Sequence, residues 1–208
     1  MTELTVKNER GTAVATQPPG NPDGKGANGF MLDWYRTEPR GLVAKPQRQV
    51  LAEFFTSMLI LSASFKYKPA IGVNNYLYRV DDQWMLSLIA PEQWSEKHRR
   101  GFVGNCVLQA DQTWTIEPSE ELMEFGPLKE AVSRFFDAFA EKMDTDLTLE
   151  EILPFYVRGL PYWQRLHASA LSRSIRGAVR LGGQASIRAR DWRLALPGSG
   201  ETLLLGDA

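Results

Sequence analysis

The chain is poor in the residues from which disulfide scaffolds and metal centres are built. It has one cysteine, Cys106, and two histidines, His98 and His167, in 208 residues. One thiol excludes an intramolecular disulfide framework and fits a reducing compartment. No two of these three residues stand at helix or knuckle ligand spacing, so no transition-metal ligand set is expected. Long apolar runs are also missing. The most apolar stretch, "MLILSAS" at 58–64, is far shorter than the roughly 20 residues that cross a bilayer. The first twenty residues lack an apolar h-region, so no secretory signal is expected. Net charge is -1, which favours neither nucleic acid nor membrane as a partner. No nucleophile-elbow serine motif is present. "GNPDGKG" misses the phosphate-loop spacing by one residue and has Gly26 where the hydroxyl residue belongs. These absences predict a cytoplasmic, soluble chain with no cofactor, no metal site and no complete catalytic constellation.

The remaining composition is that of a globular protein, with 43% hydrophobic and 11% aromatic residues. Residues 1–29 are polar and rich in Gly, Pro and Asn. They bury too little to offset their ordering entropy and are expected to form a flexible arm. The apolar "FMLDWY" at 30–35 follows, able to dock onto its own domain or onto a partner. From Pro46, Val50, Leu51, Phe54, Phe55, Met58 and Leu59 trace a wide stripe at helical period, which predicts a deeply buried helix. A second such stripe, Leu128, Ala131, Val132, Phe135, Phe136, Phe139 and Met143, follows Pro127. Between them, 73–80, 83–90, 101–111 and 112–118 read as strands, with turns at Asp81–Asp82 and at Asp111.

Thr148 and Glu151 have capping-box spacing. A helix from Pro161 to about Arg180 ends at a Gly pair. The tail around Pro197–Gly200 reads as a hairpin, with a helical reading of 185–195 left open. The expected fold is α+β: a four-stranded antiparallel meander packed by helices on one face. Its divisions are an arm (1–29), a core domain (30–146), and a helical and hairpin extension packed on the core (147–208).

The stretch from 73 to 115 carries Tyr76–Tyr78, Ser87–Ile89–Pro91, Trp94, Phe102–Gly104 and Asp111–Trp114–Thr115. In these it resembles a family of small domains of unknown function, found in bacterial proteins and in an uncharacterised animal open-reading-frame protein. Gln93 and Ile116 depart from that pattern, where an acidic residue and a proline would stand. The resemblance implies a sheet of this kind and brings no activity, cofactor or partner.

Three functions compete. The leading one is a non-enzymatic binding or adaptor protein acting through protein–protein contacts or self-association. Phe30, Trp34, Tyr35, Tyr76, Tyr78, Trp94 and Trp114 are its candidate contacts, Trp94 and Trp114 being the expected surface members because each is near a turn. Set against this, strand aromatics also fill cores. The alternative rests on charge. From Glu117 to Glu151 there are eleven acidic residues and three basic ones; from Pro154 to Arg193 there are eight arginines and one acid. Arg165, Arg173, Arg176 and Arg180 fall within about 80° of one another at helical pitch. Such a stripe can bind nucleic acid or another anionic surface, or it can be answered by the acidic segment of its own fold. Nucleic acid is the less favoured partner. The third function is a cysteine-dependent enzyme, with Cys106 as nucleophile, His98 as base, and "KHRR" (97–100) favouring a thiolate. Cys106 lies in an apolar strand pattern, where cysteine is ordinarily inert packing. Glu120, Glu121 and Glu124 read as solvated surface charge.

Overall fold

The computed structural model describes residues 6–7, 13–14, 26–154, 157 and 159–205. Strands β1 (Val6–Lys7) and β2 (Ala13–Val14) pair antiparallel. The rest of the expected arm, up to residue 25, lies outside the described residues. Helix α1 (Ala27–Arg36) begins inside the last part assigned to the arm and takes in "FMLDWY". Helix α2 (Gln47–Ser62) follows, with Pro46 as its N-cap.

The sheet is built from β3 (Asn74–Val80), β4 (Gln83–Ser87), β5 (Phe102–Leu108) and β6 (Trp114–Pro118). All its neighbours are antiparallel and the class is α+β. The strand order is β4-β3-β5-β6, which corrects the expected meander. After β4, the chain makes a 3-10 turn (Pro91–Gln93) and helix α3 (Glu96–Arg99), passes back over β3, and pairs β5 with it. Asp81 and Asp82 both have positive φ, 48° and 59°. This is the I′ geometry that matches strand twist, here reached without glycine.

Helices α4 (Glu120–Glu124) and α5 (Gly126–Lys142) lead to α6 (Leu149–Ile152), where the Thr148 N–H donates to Glu151 Oε2 at 2.7 Å in the expected capping box. Helix α7 (Tyr162–Leu181) is followed by α8 (Ala189–Arg193) and α9 (Gly200–Leu205). The C-terminal hairpin is therefore corrected to two short helices. Leu203 and Leu204 are both buried. Adjacent residues of a strand point to opposite sides, whereas helical neighbours can share one apolar surface.

The long helices cover one sheet face. Phe55 of α2 meets Phe135, Phe136 and Phe139 of α5 edge to face, with centroids 5.4–5.9 Å apart. Leu77, Leu86, Val103, Cys106, Leu108 and Trp114 of the sheet join this core, as do Leu171 and Ile175 of α7 and Trp192 of α8. On the other face, Tyr78 packs with Trp94 and Phe102 under the 3-10 turn and α3.

The candidate binding groove

The sheet has two edges, and they end differently. At the β4 edge the chain leaving α2 closes the ladder. Ser64 N–H donates to the Trp84 carbonyl at 2.9 Å, and Leu86 N–H donates to the Ser64 carbonyl at 3.1 Å. At the β6 edge, Gln109 N–H to Thr113 O and Ser119 N–H to Val103 O set the alternation. Thr115 and Glu117 therefore turn their backbone groups to β5, and Trp114, Ile116 and Pro118 turn theirs outward. The Trp114 N–H donates to Ser57 Oγ on α2 at 2.9 Å. Among the described residues nothing takes the Trp114 carbonyl, nor the N–H and carbonyl of Ile116.

This edge lines a groove of about 750 Å³. Helix α2 supplies Arg48, Gln49, Ala52, Glu53 and Thr56, and the C-terminal segment supplies Pro197, Thr202 and Leu203. The volume lies within the roughly 300–1,000 Å³ of ligand sites.

A buried ion cluster holds the groove's α2 wall to the sheet. Lys45, just ahead of α2, donates to Glu53 Oε2 at 2.6 Å and to Asp111 Oδ2 at 2.5 Å. Asp111 also accepts from the Thr113 N–H and hydroxyl, at 3.1 and 2.7 Å, which folds the β5–β6 turn. In that turn Gln112 has φ 69°. Burial works against the Asp111 charge, but the Lys45 and Thr113 hydrogen bonds outweigh it and hold the carboxyl below its usual range. Burial likewise opposes the Lys45 charge, and the two carboxylates overcome it and raise its pKa.

The aromatic contacts expected from sequence separate into several places. Trp114 is 1% exposed and its ring is in the core, so its expected surface role is corrected. Its ring joins the core residues of α2, and its backbone N–H bonds to Ser57 of the same helix. Tyr78 is fully buried. Its hydroxyl donates to the Ile89 carbonyl at 2.8 Å, and burial, assisted by the Glu92 charge, pushes its pKa up. Tyr76 meets Phe102, and Trp94 stacks on His98 with centroids 4.3 Å apart. On α1, Phe30 and Trp34 are 5.8 Å apart, and the Arg173 guanidinium lies 4.4 Å over the Trp34 ring. Tyr35 is 61% exposed and stands with Met31 and Leu32 on the outer side of α1.

The arginine stripe is engaged within the fold. Arg173 Nη2 donates to the Thr37 carbonyl at 3.0 Å. Arg180 and Arg176 reach Glu150 at 2.6 and 3.4 Å. Arg165 also has a partner. Cys106 is fully buried in the core, and burial pushes its thiol pKa far up, away from the thiolate a nucleophile needs. His98 is on α3, stacked on Trp94. Among the described residues no group of three or more His, Cys, Asp or Glu could hold a metal, and no helix is long and apolar enough to cross a membrane.

Sequence reasoning missed the groove and the Lys45–Glu53–Asp111 cluster. Lys45 and Asp111 are 66 positions apart, beyond any local pattern. The one local signal was Glu53, the only acid on α2. No curated protein and no solved structure matches the chain. Residues 42–136, from the approach to α2 through the sheet and into α5, match the family model described as Protein of unknown function (DUF2452).

Proposed function

We propose that this chain is a non-enzymatic binding module that holds part of a protein partner in the groove between α2, β6 and α9. One observation carries the reading: a groove of about 750 Å³ coincides with the sheet edge where, among the described residues, backbone groups are left open. Its walls mix apolar Leu51, Ala52, Ile116 and Leu203 with polar Arg48, Gln49 and Thr56, the mixture that gives a site both affinity and orientation. The exposed Met31, Leu32 and Tyr35 of α1 offer a second contact. The anionic-surface function is weaker, because Arg176 and Arg180 are both turned to Glu150 within the fold. A single buried thiol suits a reducing compartment such as the cytoplasm.

The test is affinity capture from native lysate with the wild type, Ala52→Trp, which fills the groove, and Arg176→Glu. A stoichiometric partner retained at moderate salt by the wild type and Arg176→Glu, and lost by Ala52→Trp, is expected. A partner kept by Ala52→Trp overturns the assignment to the groove. Loss only in Arg176→Glu, with steep salt dependence, moves the site to α7.

A further inference from the structure

We infer that the groove takes an extended peptide added antiparallel to β6 as a fifth strand, with an apolar residue opposite Ile116 and a basic residue opposite Glu117. The inference rests on the groove being the binding site and specifies what enters it. The argument starts from hydrogen-bond geometry. A residue placed opposite Ile116 exchanges two bonds with it, N–H to carbonyl in each direction. Two residues further along the added strand, another N–H meets the Trp114 carbonyl; two residues back, another meets the Pro118 carbonyl. A foreign strand therefore makes up to four bonds.

A second copy of β6 does worse. Centred on Ile116, it would place Pro118 opposite Trp114. Proline has no N–H to give, and the Trp114 N–H is already held by Ser57. Only the two central bonds remain. The edge is thus poorly matched to itself, a property that protects exposed strands from self-pairing, yet it stays open to another sequence.

Side chains give the rest. Cross-strand neighbours share a face. The residue opposite Ile116 points to the groove floor of Leu51, Ala52 and Leu203. The residue before it, opposite Glu117, points away from the floor. Glu117 is exposed and has no ion pair among the described residues. Lys or Arg followed directly by an apolar residue is the chemistry that fits.

The probe is a phage-displayed library of random dodecapeptides, selected on the full chain and in parallel on Glu117→Lys and Ala52→Trp. The expected result is enrichment of a basic–apolar pair on the wild type, a shift to an acidic first residue on Glu117→Lys, and no enrichment on Ala52→Trp. Titrating a selected peptide should slow exchange of the Ile116 amide proton by about tenfold or more. Ile116→Pro should weaken binding by about 5–10-fold, the equivalent of one hydrogen bond. Peptides that need the groove but ignore Glu117→Lys and leave Ile116 exchange unchanged overturn strand addition and leave the groove assignment standing. No enrichment on the wild type, or enrichment that survives Ala52→Trp, overturns both. A concentration-dependent dimer displaced by Ile116→Pro assigns the edge to self-association and overturns the foreign-strand inference.

Discussion

Replacing Lys45 with methionine keeps most of the side-chain volume and removes the charge that two carboxylates share. The side chains of Lys45, Glu53 and Asp111 are only 8–12% exposed, and the two contacts are 2.6 and 2.5 Å. Breaking a buried pair by removing one partner costs about 3–5 kcal/mol, because the charge left behind is uncompensated. Here two carboxylates are left, so the upper part of that range is expected. Such a loss is a large fraction of the roughly 5–15 kcal/mol that stabilises a domain. The assay is urea unfolding followed by fluorescence of the buried Trp114 and Trp192.

The pH dependence sharpens this prediction. In the wild type the Asp111 pKa is depressed, so its contribution is present above the unfolded value of 3.8 and is lost as pH falls through the folded one. In Lys45→Met the lysine hydrogen bond and charge are gone and only the Thr113 hydrogen bonds still oppose burial, so the pKa is higher than in the wild type. Protonation then relieves the folded state as pH falls. The difference between wild type and variant should shrink between pH 7.5 and pH 5, while the triple variant Lys45→Met/Glu53→Gln/Asp111→Asn should recover most of the loss. A difference below about 1 kcal/mol, or one that does not change with pH, would refute the buried-cluster argument.

Three further outcomes follow from the packing. His167 is 2% exposed, neither ring nitrogen has a hydrogen-bond partner among the described residues, and burial, aided by the Lys68 charge, lowers its pKa from 6.5 to about 4. The unfolded chain takes up this proton first, so stability present above pH 6.5 should fall by roughly 3 kcal/mol toward pH 4, and His167→Phe should flatten that slope in urea titrations. Arg173→Lys keeps the charge but loses the planar stack on Trp34; it should loosen α1 by about 1 kcal/mol, seen as faster amide exchange over 27–36. Cys106 should react with iodoacetamide only at the rate of unfolding, and rapid alkylation of the native chain would reopen the cysteine-enzyme function.

The parts of this fold that could be read from sequence are those written in short-range pattern. The stripe of α2 is wide because much of that helix is buried, α5 buries one face, and Phe55 and Phe139 meet where the two stripes face each other. The strands of the sheet show through partial alternation, and Thr148 and Glu151 through their spacing. Strand order was hidden. The link from Leu88 to Gly101 has the polar character of a loop whether it joins neighbours or crosses β3, and only the pairing of Asn74–Tyr78 with β5 distinguishes the two. The tail misled for a similar reason: Pro197–Gly200 punctuates a helix–helix link as readily as a hairpin. Trp114 sits beside a turn, the usual sign of exposure, and is buried because its ring joins the core that α2, distant in sequence, packs against β6. The groove draws on α2, β6 and α9 together, and no local window contains all three.

Charge segregation was legible, and its pairing leads to a prediction opposite to that of a free arginine stripe. Asp144 reaches Arg193 at 3.0 Å, Asp146 reaches Arg188 and Arg190 at 2.9 and 2.7 Å, and Glu150 reaches Arg180 and Arg176. The exposed pairs of this ladder add little stability each and are screened by salt. Glu150 differs: its side chain is 17% exposed, and Arg180 grips both of its oxygens at 2.6 and 2.8 Å, which holds its carboxyl below the usual range. If internal pairing is what silences the stripe, Glu150→Ala should create affinity for a single-stranded oligonucleotide rather than remove it. Two freed arginines should steepen the dependence of log K on log salt by about 1.4, at roughly 0.7 per cation on single strands. Fluorescence anisotropy across a salt series measures both quantities. Equal affinity and equal slope in wild type and Glu150→Ala would mean that Glu150 does not mask the stripe. Strong binding by the wild type itself would return α7 to the list of working surfaces.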